Sequence, residues 1–358
     1  MYEINKIPVH YIISKRGMKE VFKGQKEADM LGSKMRTQMK VVSDYTDEQL
    51  RFIKQIGVDH VFVMFKNEHT DYDSVMKFME RLRKVGLTVT DAGNTDIYKN
   101  PLIHLGLPGR DEAIERYNAF TRVLSKAGIP VTYMTWEPNK VLTSRIDVGT
   151  YTRQAPARIV DIGELEKRPY SHGRLFTKEE IWDNFKYWLD RVLPVCEEEN
   201  VKIALHPNDP PVDCLLGISN LITSAADYKR AFELAGNSPY LGMKMCMGCW
   251  LEAGDAFGNL LEDIKYFIEQ DKVLIVHFRN VSGTMPYFEE TLLEDGYMNM
   301  YEAMKQLVRC DYQGVIHVDH APRMTNECGG MNASFAYCTG YMKALLNCAI
   351  QEINKEER

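Results

Sequence analysis

Eight short apolar runs, each separated from the next by a longer amphipathic stretch, constrain this chain more than any other feature. They are MKVVSD (39 to 44), DHVFVMF (59 to 65), LTVTDA (87 to 92), IPVTYMTW (129 to 136), VKIALH (201 to 206), YLGMKMC (240 to 246), KVLIVHF (272 to 278) and GVIHVD (314 to 319). Each is nearly continuous in hydrophobicity, as a parallel strand covered on both faces must be. The intervening stretches read as helices with start and stop signals. TDEQLRFIKQIG opens on Thr46 with Gln49 three residues later, a capping-box spacing, and stops at Gly57. DYDSVMKFMERLRKVG stops at Gly86 and RDEAIERYNAFTRVLSKAG at Gly128, where a C-cap glycine lets the chain turn into the next strand. Eight strand and helix units in sequence predict a single α/β domain, a (β/α)8 TIM barrel over residues 38 to 358. A doubly wound open sheet is the alternative that the same alternation allows.

Two regions stand outside the repeat. Residues 1 to 37 form an N-terminal extension before the first strand. Residues 137 to 176 form a polar, aromatic insertion after the fourth strand, long enough to serve as a lid, a surface excursion or an oligomer contact.

The formal net charge is -6, with basic residues scattered, so the chain carries no electrostatic footprint for nucleic acid or for an anionic membrane. An anionic small-molecule substrate would need a local cation. No run is long and apolar enough to span a bilayer, and the N-terminus has no signal-peptide core, which predicts a cytoplasmic protein. In that compartment the eight cysteines are expected as thiols or ligands rather than disulfides.

In a barrel all C-terminal strand ends converge on one face, which holds the active site. The last four strands end in His206, Cys246, His277 and Asp319, at intervals of 40, 31 and 42 residues. One buried His is ordinarily a hydrogen-bonded core residue, and one buried Cys a small hydrophobe. Four donors at four successive strand ends instead suit a divalent first-row metal, with Mn, Fe, Co, Ni and Zn all open. The thiolate argues against Mg and Ca. Cys246 and Cys249 form a CxxC, so a redox pair, or Cys249 as the true ligand, stays open. His317 shares a strand face with Asp319 and reads as a supporting partner or a core residue. Arg279, two residues past His277, is a candidate to fork onto a substrate carboxylate, against a rim salt bridge as the plainer reading. Asp209, in HPNDPP, could orient a ligand, bind substrate hydroxyls or cap a turn. His320, next to Asp319, is the candidate proton carrier.

At these residues the chain resembles the mannonate dehydratases. The resemblance lies in KIALHPNDPP (202 to 211), GMKMCMG (242 to 248), VHFRNV (276 to 281) and VDHAPRM (318 to 324), in the same order and with similar spacing. Weaker similarity runs upstream through QIGVDHVFVMF and AGIPVTYMTWEPN. It implies a barrel of the xylose-isomerase type that removes water from D-mannonate to give 2-keto-3-deoxy-D-gluconate. It also implies Mn2+ or Fe2+ held by His206, Cys246, His277 and Asp319, with His320 as catalytic histidine. A family tyrosine corresponds to Tyr337 if a one-residue gap is allowed. Where the family reads DHGHQ this chain has DHAPR, so Pro322 replaces a histidine. Arg323 follows it, and joins Arg279 and Asp209 as a candidate substrate contact.

The leading expectation is therefore a cytoplasmic, homo-oligomeric, metal-dependent sugar-acid dehydratase. The alternatives are a dehydratase of another aldonate, a metal-dependent sugar isomerase or epimerase on the same barrel, or a non-catalytic sugar-binding relative.

Overall fold

All eight runs form strands of one parallel sheet in a computed structural model that describes residues 33–325 and 332–356. The strands in chain order are β1 (Arg36–Val42), β2 (His60–Met64), β3 (Thr88–Gly93), β4 (Val131–Thr135), β5 (Arg145–Val148), β6 (Pro156–Asp161), β7 (Lys202–His206), β8 (Cys214–Leu215), β9 (Ile218–Ser219), β10 (Leu241–Cys246), β11 (Val273–His277), β12 (Tyr287–Glu289) and β13 (Val315–His317). The barrel sheet runs β3-β2-β1-β13-β11-β10-β7-β4. β3 and β4 lie side by side and bring the cylinder close to closure.

The helices form as their caps specify. Asp47–Gln55 starts from the Thr46–Gln49 capping box, and Tyr72–Val85 ends on Gly86 in the left-handed conformation. In Lys178–Glu198, residues Ile181, Trp182, Phe185, Trp188, Leu189 and Val192 recur at helical spacing and are buried. Their rings meet Trp136, just past β4, at 5.4 Å from Phe185 and 6.0 Å from Trp188. Each such side chain removed from water stabilises the fold by roughly 1.5–3 kcal/mol. The main core lies between sheet and helices. A second, smaller cluster of Phe62, Tyr133, Ala204, Ile275 and Val315 fills the barrel interior.

The expectations need three adjustments. β1 begins at Arg36, inside the expected extension, whose residues 1–32 lie outside the described residues. β13 ends at His317, so Asp319 stands two residues beyond its strand. The insertion 137 to 176 is built structure: β5 and β6 pair antiparallel, and β6 pairs with β12 from the segment after β11. Further along, Phe176 bridges to Ile218 in the β8–β9 hairpin. Among the described residues no helix is long and apolar enough to cross a membrane.

Candidate functional site

Strand register sets the site. Cys246 at the end of β10 is opposite His277 at the end of β11, which in turn is opposite His317 on β13. His206 ends β7. One donor atom from each of His206, Cys246, His277 and Asp319 lies within 4.8 Å of all the others. His277 Nδ1 is 3.3 Å from His206 Nε2 and 3.2 Å from Asp319 Oδ2, and Cys246 Sγ is 3.6 Å from the same oxygen. The seven described cysteines are free thiols. His206 Nδ1 lies 2.7 Å from the Pro207 carbonyl oxygen, which can only accept, so Nδ1 carries the proton and the Nε2 lone pair faces the cluster. Lone pairs converging in this way fit a bound cation.

The electrostatics agree. Burial opposes ionisation of Cys246, but a hydrogen bond from Cys249 and the charge of Arg279 outweigh it and hold the thiol well below its usual range. Burial likewise opposes ionisation of Asp319, and His277, His320 and Arg279 together keep it well below the carboxylate range. Cys249 itself is pushed up by burial and by its neighbour Cys246.

Behind the donors two guanidiniums meet four carboxylates. Arg279 is 0 % exposed and reaches Glu252 at 2.6 Å, Asp209 at 3.1 Å, and Glu290 and Asp319 at 3.2 Å. Arg158, from β6, lies 2.6 Å from Asp209 and 3.0 Å from Glu290. Burial and Asp209 push Glu252 well above the usual carboxylate range. Gly248 makes room for this packing, because a Cβ there would stand 2.3 Å from Arg279 Cζ. Arg279 as a fork for substrate is therefore corrected. Its donors are spent on these carboxylates, and it lines no part of the adjoining cavity. Asp209 does line that cavity while bridging the two arginines.

The cavity, of about 180 Å³, opens beside the donors and includes His206, His277, Asp319, His320 and His317 in its wall. His320 Nδ1 is 2.8 Å from Glu290 Oε1, and its Nε2 is 3.6 Å from Asp319 Oδ1. Burial works against charging His320, but Asp319 and Glu290 raise its pKa to about 9. Burial also opposes ionisation of Glu290, which His320, Arg158 and Arg279 bring down to about 2. His317 Nδ1 bonds the Val318 carbonyl at 2.8 Å, and its ring packs 4.3 Å from His277 and 4.4 Å from Phe62. Lys40, Lys99 and Lys244 line the same space.

Two further expectations are corrected. Tyr337 is 41 % exposed, its hydroxyl bonds Glu294 and meets Arg153 at 3.3 Å, and it lines no part of the cavity, whereas Phe335 does. Arg323 also faces solvent outside the cavity, while its backbone N–H bonds the Pro156 carbonyl at 2.7 Å. Arg158, Glu252 and Glu290 were not anticipated. For Arg158 and Glu252 the signal was a charge inside an otherwise apolar segment: ARIV (157 to 160) in β6, and WLEA (250 to 253) in the helix after β10.

The fold and donor set define a class: a (β/α)8 barrel with a candidate divalent-metal centre at the C-terminal ends of its strands. A family model for D-mannonate dehydratase matches residues 161–356. A mannonate dehydratase of Thermotoga maritima is 30% identical over 311 residues, covering 77% of this chain and 85% of the relative. One from Geobacillus thermodenitrificans is 28% identical over 325 residues, covering 79% and 85%. The crystal structure of mannonate dehydratase from Streptococcus suis superposes with a TM-score of 0.77 at 22% identity, over 89% of this chain and 96% of that one. This chain belongs to the mannonate dehydratase family, and is a hydro-lyase by that membership.

Proposed function

We propose that this protein dehydrates an aldonate, D-mannonate, to 2-keto-3-deoxy-D-gluconate, with a divalent cation as cofactor. The observation that carries the reading is the convergence of four metal-type donors within 4.8 Å beside a cavity that also holds His320. The proton at C2 of an aldonate is barely acidic, so its loss needs positive charge where the enediolate forms. Mn2+ or Fe2+ held by His206, Cys246, His277 and Asp319 would supply that Lewis acid.

The remaining work falls to the chain's own groups. Loss of the C2 proton and of the C3 hydroxyl leaves an enol, which becomes the 2-keto acid when C3 takes a proton. Departure of the C3 hydroxyl is easier when it is protonated. His320, paired with the Glu290 carboxylate and facing the cavity, holds that proton. Glu290 fixes the ring through Nδ1, leaving Nε2 for transfer. Arg279 and Arg158 hold Asp209, Glu290 and Asp319 in place from behind. The insertion, for which a lid is one of the expected readings beside a surface excursion or an oligomer contact, gives Arg158 to this network and Val141 to the cavity wall, which supports a part in enclosing substrate.

The test is anaerobic loading with Mn2+ or Fe2+, followed by a panel of hexonates assayed for 2-keto-3-deoxy products. Absence of turnover on every aldonate sinks the reading. Solvent proton exchange at C2 without loss of hydroxyl would point to an isomerase or epimerase instead.

A further inference from the structure

With Arg279 and Arg158 committed to carboxylates, the side chains left to recognise an acid away from the donor set are the three lysines of the cavity wall. Lys99 is not free, since its ammonium lies 2.5 Å from Glu137, whose other oxygen accepts the Asp209 N–H at 2.9 Å. Lys244 differs. It is 7 % exposed, lies on β10 two residues before Cys246, and faces the cavity. Among the described residues no carboxylate stands within 4.0 Å of its ammonium and it makes no hydrogen bond. The groups in direct contact with it are aromatic faces, Tyr133 with the ring centre 3.5 Å away and Phe62 at 5.6 Å, while Asp91, bonded to the Tyr133 hydroxyl, and Asp319 act on it through space without a direct ion pair. A buried ammonium without a bonded acceptor costs several kcal/mol in general, and an anion arriving beside it would offset that cost. Lys40 stands nearby at the rim. It is opposite Phe62 in the β1–β2 register, more exposed, and without a carboxylate within 4.0 Å among the described residues.

We propose that Lys244, assisted by Lys40 at the rim, is the subsite that recognises the carboxylate of the substrate. The inference rests on the dehydratase reading and adds an orientation to it. Residues two apart on a strand share a face and stand roughly 6–7 Å apart. An acid whose C1 carboxylate reaches Lys244 thus lays C2 and C3 alongside the donor set and His320, with its tail toward the mouth. The apolar aromatic walls strengthen the field of the ammonium, so the subsite selects acids over the corresponding neutral polyols.

The experiment compares D-mannonate with D-mannitol on metal-loaded wild type, Lys244→Met and Lys40→Met, using steady-state kinetics and calorimetric dissociation constants. The expected result for Lys244→Met is KM and Kd for mannonate raised about 30-fold, with mannitol affinity within about 2-fold of wild type. For Lys40→Met a rise of about 3- to 10-fold is expected. Lys40 sits at the exposed rim, so its variant keeps the test open if Lys244→Met fails to fold. A wild type that turns over no hexonate and binds none defeats the dehydratase reading itself. A wild type that turns over mannonate while both variants keep its acid-over-polyol preference overturns the lysine subsite, as does an active wild type with no such preference.

Discussion

His320 Nδ1 and Glu290 Oε1 lie 2.8 Å apart, and the same oxygen also faces Arg158 at 3.0 Å and Arg279 at 3.2 Å. One carboxylate oxygen therefore ties the candidate proton carrier to both buried arginines. Glu290 follows directly after β12, which is bonded to the insertion through β6. The orientation of His320 thus depends on a segment far from it in sequence.

Replacing Glu290 with Gln keeps the size and removes the charge that three cationic groups face. The ring loses its fixed orientation and the two arginines lose a counter-charge, so kcat is expected to fall about 10- to 100-fold. His320→Asn is expected to cost more, about 10²- to 10⁴-fold. Bound metal measured by elemental analysis should stay near wild type in both. A Glu290→Gln enzyme with wild-type kcat would remove Glu290 from the mechanism.

Cys246 and Cys249 can be separated by replacing each with Ser. Cys246 Sγ sits in the donor cluster beside Asp319, whereas Cys249 joins a different group with Asp209 and Glu252. Cys246→Ser is expected to weaken metal affinity by about 10-fold or more, and Cys249→Ser to leave stoichiometry unchanged. Equal loss of metal in the two variants would mean that the ligand assignment at this CxxC is wrong.

Gly248→Ala tests the packing behind the donors. The added methyl would stand 2.3 Å from Arg279 Cζ, and that guanidinium has no free direction because it is bonded to carboxylates on several sides. Overpacking of this kind typically costs about 1–3 kcal/mol, and the displaced arginine should carry Asp319 with it. Lower denaturation midpoint together with weaker metal binding is the expected outcome. Unchanged values for both would show that Arg279 has room to move.

The barrel was legible because buried parallel strands must be apolar along their whole length, and because Thr46, Gly86 and Gly128 mark helix ends with specific chemistry. The four donors were legible because a strand end is a position in space as well as in sequence. The ion network was not, since Arg158, Glu252 and Glu290 come from three segments whose meeting is set only by tertiary packing. Arg279 shows the same limit: past β11 the chain turns inward, with the Phe278 N–H on the His317 carbonyl, and the arginine enters the buried layer instead of the mouth. Tyr337 fails for a helical reason. It is two residues past Phe335, roughly 200° around the helix, so with Phe335 on the cavity Tyr337 must face away.

His104 offers a pH test remote from the donors. It ends the short helix Pro101–His104, is fully buried, and its ring packs 4.5 Å from that of Trp136. Burial pushes its pKa down to about 3, with only the Tyr98 backbone opposing, against about 6.5 in an unfolded chain. Between those values the unfolded state binds the extra proton. Stability from the neutral ring is therefore fully present above about pH 6.5 and is lost as the pH falls toward 3. At pH 5 the loss from this one group is about 2 kcal/mol, an order-of-magnitude figure from 1.36 kcal/mol per pKa unit. His104→Phe keeps a ring against Trp136 and removes the proton-linked part. Urea denaturation at pH 7 and pH 5 should show wild type losing about 2 kcal/mol more than the variant across that interval. Equal losses would mean that His104 takes up its proton in the folded protein.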